Sequence, residues 1–499
     1  MEKELAVADV SARIRDFDHL FINGEWQPST SGACFDIFDS STEALFARTA
    51  LARPEELSRA VQAARDAFDT GPWPRMTHKE RAGYLRAIAA KLRERAADLG
   101  ECWTRETGIL HSAALHVGDG VAGMFDYYAG LAESYPFIEP VSPTAGGEYG
   151  LIVREPVGVV GAIIPWNGPL GMIGAKVAPA LIAGCTIVLK AAPEAPAAPM
   201  IVAEIAQMVG LPHGVLNVLV ADRDVSEQLV RDPRVDKITF TGSTSAGRRI
   251  ASLCGERIAR CTLELGGKSA AVLLNDADVD HAARHLAASE TLLSGQVCSS
   301  LTRIIVPRKL QDDFVSALSS AFEQVKVGDP FDPSTGMGPL ATERQRSRVE
   351  HYIDQGVRDG GRLVTGGGRP RHLDKGWYIE PTIFDSVDNG ATIAQEEIFG
   401  PVLAVIPADS EEEAVRIAND TIYGLNASVF TADMDRALAV SRALRSGTVG
   451  HNAWRSDFGI AFGGFKQSGL GREGGKEGLL PFLETKVVIL DGVPGAVEN

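Results

Sequence analysis

Cysteine is scarce. Six thiols (Cys34, Cys102, Cys185, Cys254, Cys261 and Cys298) are scattered over 499 residues with no Cys-x-x-Cys pair. That excludes a disulfide framework, and it predicts a reduced, cytoplasmic protein. Positive charge is outnumbered, with a formal balance of −16; nucleic acid and anionic membrane surfaces are therefore not expected as partners. No apolar run spans a bilayer: residues 177–189 are bracketed by Lys176 and Lys190 and fall short of the ~20 residues required. Residues 1–20 carry acidic side chains and no apolar core, so no secretory signal is expected. Internal repeats, His-Glu-x-x-His and Gly-x-Ser-x-Gly are all missing, which argues against a solenoid, a zinc protease and an α/β-hydrolase. His281 and His285, four apart on a predicted helix, read as two solvated histidines, and no metal site is expected.

What is present describes a globular chain, 45% hydrophobic and 23% charged. Its length exceeds a single core, so several domains are expected. Phe21 to Trp26 read as a small hairpin. Helices follow from Pro54, with Leu57, Val61 and Phe68 on one side, and over 78–97. From residue 157 strands and helices alternate. Strands are predicted at 157–164, 186–190, 215–220, 237–241 and 261–265, with helices up to Gly184 and at 200–209, 225–231 and 243–258. Continuous apolar strands joined by helices predict right-handed crossovers and a doubly wound parallel sheet. After Gly266-Gly267 a second α/β region begins; its helix from Lys309 carries Phe314, Leu318 and Phe322 as a core stripe. Residues 486–490 read as a strand needing a partner, either 148–154 or a neighbouring subunit.

Three segments stand out chemically. Phe240-Thr241-Gly242-Ser243-Thr244 ends a strand and opens a helix. Free N–H groups and the positive helix end make such a junction either an anion site or an ordinary Ser/Thr cap. Leu263-Glu264-Leu265-Gly266-Gly267-Lys268-Ser269 is not a P-loop, because Thr262 stands where the first glycine is required. What remains is a carboxylate in an apolar strand, either exposed at an edge or buried for a purpose. Gly295-Gln296-Val297-Cys298-Ser299-Ser300 surrounds a cysteine with small and polar residues. That suits an accessible thiol, which also needs surroundings that lower its pKa; the cysteines at 102, 185, 254 and 261 read as small core residues.

Together with Pro165-Trp166-Asn167, Glu397-Ile398-Phe399-Gly400-Pro401 and Phe462-Gly463-Gly464-Phe465-Lys466-Gln467-Ser468-Gly469, these segments occur in an order and spacing that resemble the aldehyde dehydrogenase superfamily, over nearly the whole chain. The resemblance implies an α/β fold of three parts. These are a doubly wound cofactor domain (1–135 and 155–266), a second α/β catalytic domain (267–466) and a β-extension (136–154 and 483–494) that joins subunits into a dimer or tetramer. It implies oxidation of an aldehyde to a carboxylic acid. Cys298 is then the nucleophile, Asn167 with the Cys298 N–H the oxyanion donors, and Glu264 the base for hydrolytic water, with Lys176 and Glu473 nearby.

The cofactor implied is NAD. Its contacts would come from Ile163, Pro165, Trp166, Lys190, Glu194, Phe240, Gly242, Ser243, Leu265, Glu397 and Phe399. NADP stays open, because NAD-preferring members often carry Glu where this chain has Pro193, one position before Glu194. Small residues after Asn167 (Gly168, Gly171, Gly174, Ala175) predict a roomy pocket for a bulky, hydrophobic aldehyde, walled by Val297, Ser299, Trp454 and Phe458. Arg455, with Asp457 close enough to neutralise it, is the hint of a carboxylate-bearing semialdehyde. A CoA-acylating enzyme is the other alternative, and Glu264 counts against it.

Overall fold

The computed structural model describes residues 16–495; most of the leading segment read above lies outside them. Its largest sheet has eight strands. Five are parallel, in the spatial order Arg260–Glu264, Lys237–Thr241, Val159–Ile163, Thr186–Ala191, Leu216–Val220. Val159–Ile163, Thr186–Ala191 and Leu216–Val220 are buried at every residue. This is why they read as unbroken apolar runs instead of alternating ones.

The chain starts in the middle with Val159–Ile163, winds outward twice, then returns to the other side of its first strand. The carboxyl ends of Val159–Ile163 and Lys237–Thr241 therefore diverge at a topological switch point, where open α/β sheets take their ligands. One edge is the hairpin His19–Ile22 and Glu25–Pro28. Asn23 (φ 55) and Gly24 (φ 77) form its turn, both left-handed as a two-residue hairpin requires. The other edge is Gly469–Leu470, which comes from far down the chain to pair antiparallel with Leu263 and Glu264.

The second sheet has seven strands around Ala270–Leu273, Arg303–Pro307 and Val402–Ala408, parallel except for Arg362–Thr365. A third is antiparallel, with Leu483–Leu490 against Tyr149–Pro156 over eight residue pairs and Ile138–Val141 beyond. The terminal strand thus finds its partner within its own chain. Its outer side stays open, with Val487 and Ile489 exposed.

Two predicted helices shift. The one read over 78–97 ends at Glu94, and a second, Ala96–Thr107, follows after Arg95. Their boundary carries no Gly or Pro to announce it. The one read from residue 200 begins at Ala197. Among the described residues no helix is long and apolar enough to cross a membrane, and no group of His, Cys, Asp or Glu could hold a metal.

Candidate active site

Strand Arg260–Glu264 delivers Glu264 to the carboxyl edge of the large sheet, 2% exposed. Neither of its carboxylate oxygens has a hydrogen-bond partner among the described residues. Burial, then the carboxylate of Glu473, holds its pKa well above the ordinary value, with Lys176 and Arg472 opposing. A Cβ on Gly463 would lie 2.5 Å from Glu264 Oε1; that glycine (φ 151) lets the Phe462–Gly464 turn cover the carboxylate. Lys176, from helix Pro169–Ala183, is ion-paired with Glu473 inside the protein and donates to Thr239 Oγ1 at 3.3 Å.

Asn167 stands just before that helix. Its Nδ2 donates to the Gln296 carbonyl at 3.0 Å, tying the amide to the loop of Cys298. Across the gap, a Cβ on Gly267 would lie 2.3 Å from the Cys298 carbonyl. The fold thus brings Asn167, Glu264 and Cys298 into one place. Cys298 itself departs from expectation. It is half-buried, and burial, with Glu397 and Glu264 adding, pushes its thiol up to about 12, against the backbone N–H groups of Cys298 and Ser299. Its small neighbours in sequence do not leave it in solvent, because distant parts of the chain, Gly267 and Glu397 among them, reach it.

At the switch point lies a cavity of about 430 Å³, lined by Ile163, Lys190, Phe240, Ala246, Ile250 and Leu253 among others. Lys190, lowered by burial to about 8 against the pull of Glu194 and Asp222, brings an ammonium to its wall. Helix Thr244–Arg257 opens beside it, with Ser243 Oγ accepting from Ala246 N–H and no acid in the first turn. Gly242 keeps the turn tight, since a Cβ there would meet Phe240 Cζ at 2.5 Å. Leu265 packs under Gly247 of the same helix. An apolar slot, an amine and a helix N-terminus suit a nucleotide.

Further on, Glu397 accepts from the Gly267 N–H at 3.2 Å, and burial raises it to about 7. Trp166, next to Pro165, meets Phe399 edge-on at 5.5 Å. Phe399 is held at φ 65, a backbone state that a bulky residue keeps only where its surroundings impose it. Gln345 Nε2 grips its carbonyl at 2.6 Å.

Several expected residues point elsewhere. Glu194 is ion-paired with Arg344 at 2.7 Å and lines a different cavity with Glu106 and Trp377, though its charge reaches Lys190. Gly168 and Gly171 are open: a Cβ added at either would meet no atom within 4 Å. Gly174 is not: a Cβ there would strike Met124 Sδ at 2.8 Å, and Ala175 is fully buried. Those two serve helix packing, not the pocket. Ser299 is buried; its carbonyl accepts from Trp454 Nε1 at 3.2 Å. Val297 packs on the buried cluster of Ile109, Ala114 and Leu293, while Phe458 stacks on Phe462 at 4.5 Å.

Arg455 is exposed and makes no ion pair with Asp457, which accepts from the Gly459 N–H instead. Neither are His281 and His285 merely solvated. His281 bonds the Asn452 carbonyl at 2.8 Å, and His285 Nε2 accepts from the Trp454 N–H at 2.8 Å. Both fasten the 452–454 loop, and no local sequence signal marks that contact.

Sequence reasoning also missed a buried polar group behind Cys298. Glu290 accepts from Ser300 Oγ and is raised by burial to about 7. Lys268, with Nζ unpartnered among the described residues, is lowered by burial, then by Arg303, to about 7. The signal for Glu290 was present: it lies on the Ala282, Ala283, Leu286, Ala287 face of its helix, where a carboxylate is out of place.

The sequence profile of the Aldehyde dehydrogenase family matches residues 26–488. A geranial dehydrogenase from Castellaniella defragrans is 42% identical over 96% of this chain and 99% of its own. A 3-succinoylsemialdehyde-pyridine dehydrogenase from a Pseudomonas species is 39% identical over 95% and 99%. Among solved structures, an aldehyde dehydrogenase from Mycobacterium tuberculosis complexed with NAD+ superposes with a TM-score of 0.93, at 43% identity, over 95% of this chain and 98% of that one. A betaine aldehyde dehydrogenase from Staphylococcus aureus in complex with NAD+ gives 0.93 at 35% identity, over 96% of each chain.

Proposed function

The chain belongs to the aldehyde dehydrogenase family, and on that premise we propose that it oxidises a bulky, hydrophobic aldehyde to the carboxylic acid, with NAD as oxidant and water as second reactant. One observation carries the reading. Asn167, Cys298 and a buried, unpartnered Glu264 converge beside a nucleotide-shaped crevice.

The Cys298 sulfur, as thiolate, bonds to the aldehyde carbon, and the carbonyl electron pair moves to oxygen. That oxyanion is received by the Asn167 amide and the Cys298 N–H, preorganised donors where charge develops. Bound NAD would supply the acceptor for the hydride that leaves the same carbon, an oxidation that leaves the acyl group on Cys298 as a thioester. Glu264 then takes a proton from water as its oxygen attacks the thioester carbon, and the carbon–sulfur bond breaks to release acid and thiolate. The Lys176–Glu473 pair lies next to Glu264 and passes that proton on. Burial, then the charges of Glu397 and Glu264, hold the resting thiol at about 12, so Cys298 must give up its proton before it attacks.

Lys190 and the helix end at Ser243 would hold the adenosine and pyrophosphate, with Glu397, Phe399, Trp166 and Pro165 around the nicotinamide half. Glu194, drawn toward Arg344, opposes a 2′-phosphate only from a distance, so NADP is the cofactor to test beside NAD. Residues 1–135 and 155–266 would form the cofactor domain, 267–466 the catalytic domain, and 136–154 with 483–494 the extension that pairs subunits through Val487 and Ile489. The space over Gly168 and Gly171, and the likeness to a geranial dehydrogenase, support a large apolar substrate. An exposed Arg455 does not favour a semialdehyde, and Glu264 does not favour transfer to CoA.

Acetaldehyde, cinnamaldehyde, geranial and succinic semialdehyde, assayed with NAD and NADP by reduced-nicotinamide absorbance, test the proposal. Geranial and cinnamaldehyde should give the highest kcat/KM. Acetaldehyde in first place refutes the roomy pocket, and a Cys298→Ala variant with full turnover refutes the chemistry.

A further inference from the structure

Helix Ala96–Thr107 contributes no strand and no nucleophile, yet it holds both loops that carry the chemistry. The indole Nε1–H of Trp103 donates to the backbone carbonyl of Asn167 at 2.8 Å. The Thr107 carbonyl accepts from Gln296 Nε2 at 3.2 Å. Gln296, fully buried, receives the Ala341 N–H on its Oε1 at 2.9 Å, and its own carbonyl receives Asn167 Nδ2 at 3.0 Å. Asn167 is therefore gripped twice, by its peptide through Trp103 and by its side chain through the Cys298 loop.

The helix is a firm base for this. Leu99, Cys102, Thr104 and Thr107 are buried, and Gly108 (φ 79) closes it with an N–H to the Thr104 carbonyl. The indole ring and Val297 both pack on the cluster of Ile109, Ala114 and Leu293, and Val297 is the neighbour of Cys298. Trp103 and Val297 are both half-buried, so part of each remains open. Gly168 and Gly171 leave empty space around the same Asn167. The apolar ring and the vacant glycine surface thus both adjoin Asn167, whose amide is tied to the Cys298 loop.

We propose that Trp103 is a positioning and specificity residue of this reaction. Its indole N–H sets the angle at which the Asn167 amide meets the oxyanion, and its ring with Val297 is the wall on which the aldehyde's organic portion rests. The proposal rests on the aldehyde-oxidising reading above. Oxyanion donors act through placement to within a few tenths of an ångström, so a bond to the peptide that carries the amide is felt in the transition state more than in binding. An aromatic wall acts the other way, on binding of large substrates.

Trp103→Phe keeps the apolar ring and deletes the donor, while Trp103→Leu deletes most of the ring as well. For Trp103→Phe, kcat should fall about five- to tenfold with propionaldehyde and cinnamaldehyde alike, as expected for one lost hydrogen bond, with KM unchanged within about twofold. Trp103→Leu should in addition raise KM for cinnamaldehyde about tenfold while sparing that for propionaldehyde. Wild-type kcat in Trp103→Phe, or equal changes in both KM values in Trp103→Leu, overturns the proposal. Should Trp103→Leu lose its fold, Trp103→Phe decides.

Amide hydrogen exchange gives a readout that needs no turnover. Exchange across residues 165–172 should quicken in Trp103→Phe while strand Val159–Ile163 is unaffected, and unchanged exchange in that loop refutes the clamp. If the wild-type protein oxidises no aldehyde, the functional reading falls, and exchange still judges the clamp.

Discussion

A carboxylate that takes a proton from water needs a pKa high enough to bind the proton and low enough to stand empty beforehand. Glu264 is placed between those demands by its neighbours. Burial and Glu473 raise it; Lys176 and Arg472 lower it. The base form exists only above that raised pKa, so kcat should climb with pH through the limb that Glu264 controls. Glu473→Gln removes the repelling charge and should move the limb to lower pH; a pH–kcat profile that stays put or moves alkaline contradicts the assignment. Glu264→Gln should cut kcat by roughly 10²–10³ and leave an acylated Cys298 visible in intact-protein mass spectra. Free thiol throughout would mean that Glu264 acts before acylation. At this scale the sequence, through the resemblance it carries, names the residues proposed to react but not their condition. Cys298 is flanked by small residues and so looks accessible, yet Gly267 and Glu397 reach it from distant segments. Chain spacing from Lys190 points Glu194 at the cofactor, and Arg344, 150 residues away, redirects it.

Helix Thr244–Arg257 links the proposed cofactor site to the proposed base. It opens on Ser243 beside the crevice, and its Gly247 lies against Leu265, the residue after Glu264. A Cβ at Gly247 would come within 2.4 Å of Leu265 Cδ2. Gly247→Ala should therefore push helix and strand apart, costing about 1–3 kcal/mol and raising KM for NAD. A thermal melt and a cofactor titration check both, and a variant with wild-type Tm and KM would show that Leu265 simply turns aside. Elements of this sheet were legible because parallel strands covered on both faces are apolar throughout, with the Ser243 cap marking the join to one helix. What escaped is short or remote. Gly469–Leu470 has two residues and no periodicity to show. The bond from Trp103 to Asn167 spans 64 positions, and no pattern within either segment implies it.

On the scale of the whole molecule, the open side of Leu483–Leu490 is the feature that asks for another subunit. An exposed, apolar strand edge is a standing invitation to pair. Under the proposed pairing, the wild-type protein should be oligomeric in light scattering, and replacing Val487 and Ile489 by lysine should leave lone protomers with the described sheets intact by circular dichroism. An unchanged mass would refute pairing through this edge. The other edge, at Gly469–Leu470, has a different bearing. Its pairing with Leu263 and Glu264 joins a late segment to the strand that bears Glu264. A ribosome making this protein must thus hold the Glu264 strand with an unpaired edge until nearly all of the chain has been synthesised. Unpaired strand edges on incomplete chains aggregate. A nascent chain stalled before Gly469 is therefore a substrate for chaperones before it is ever an enzyme.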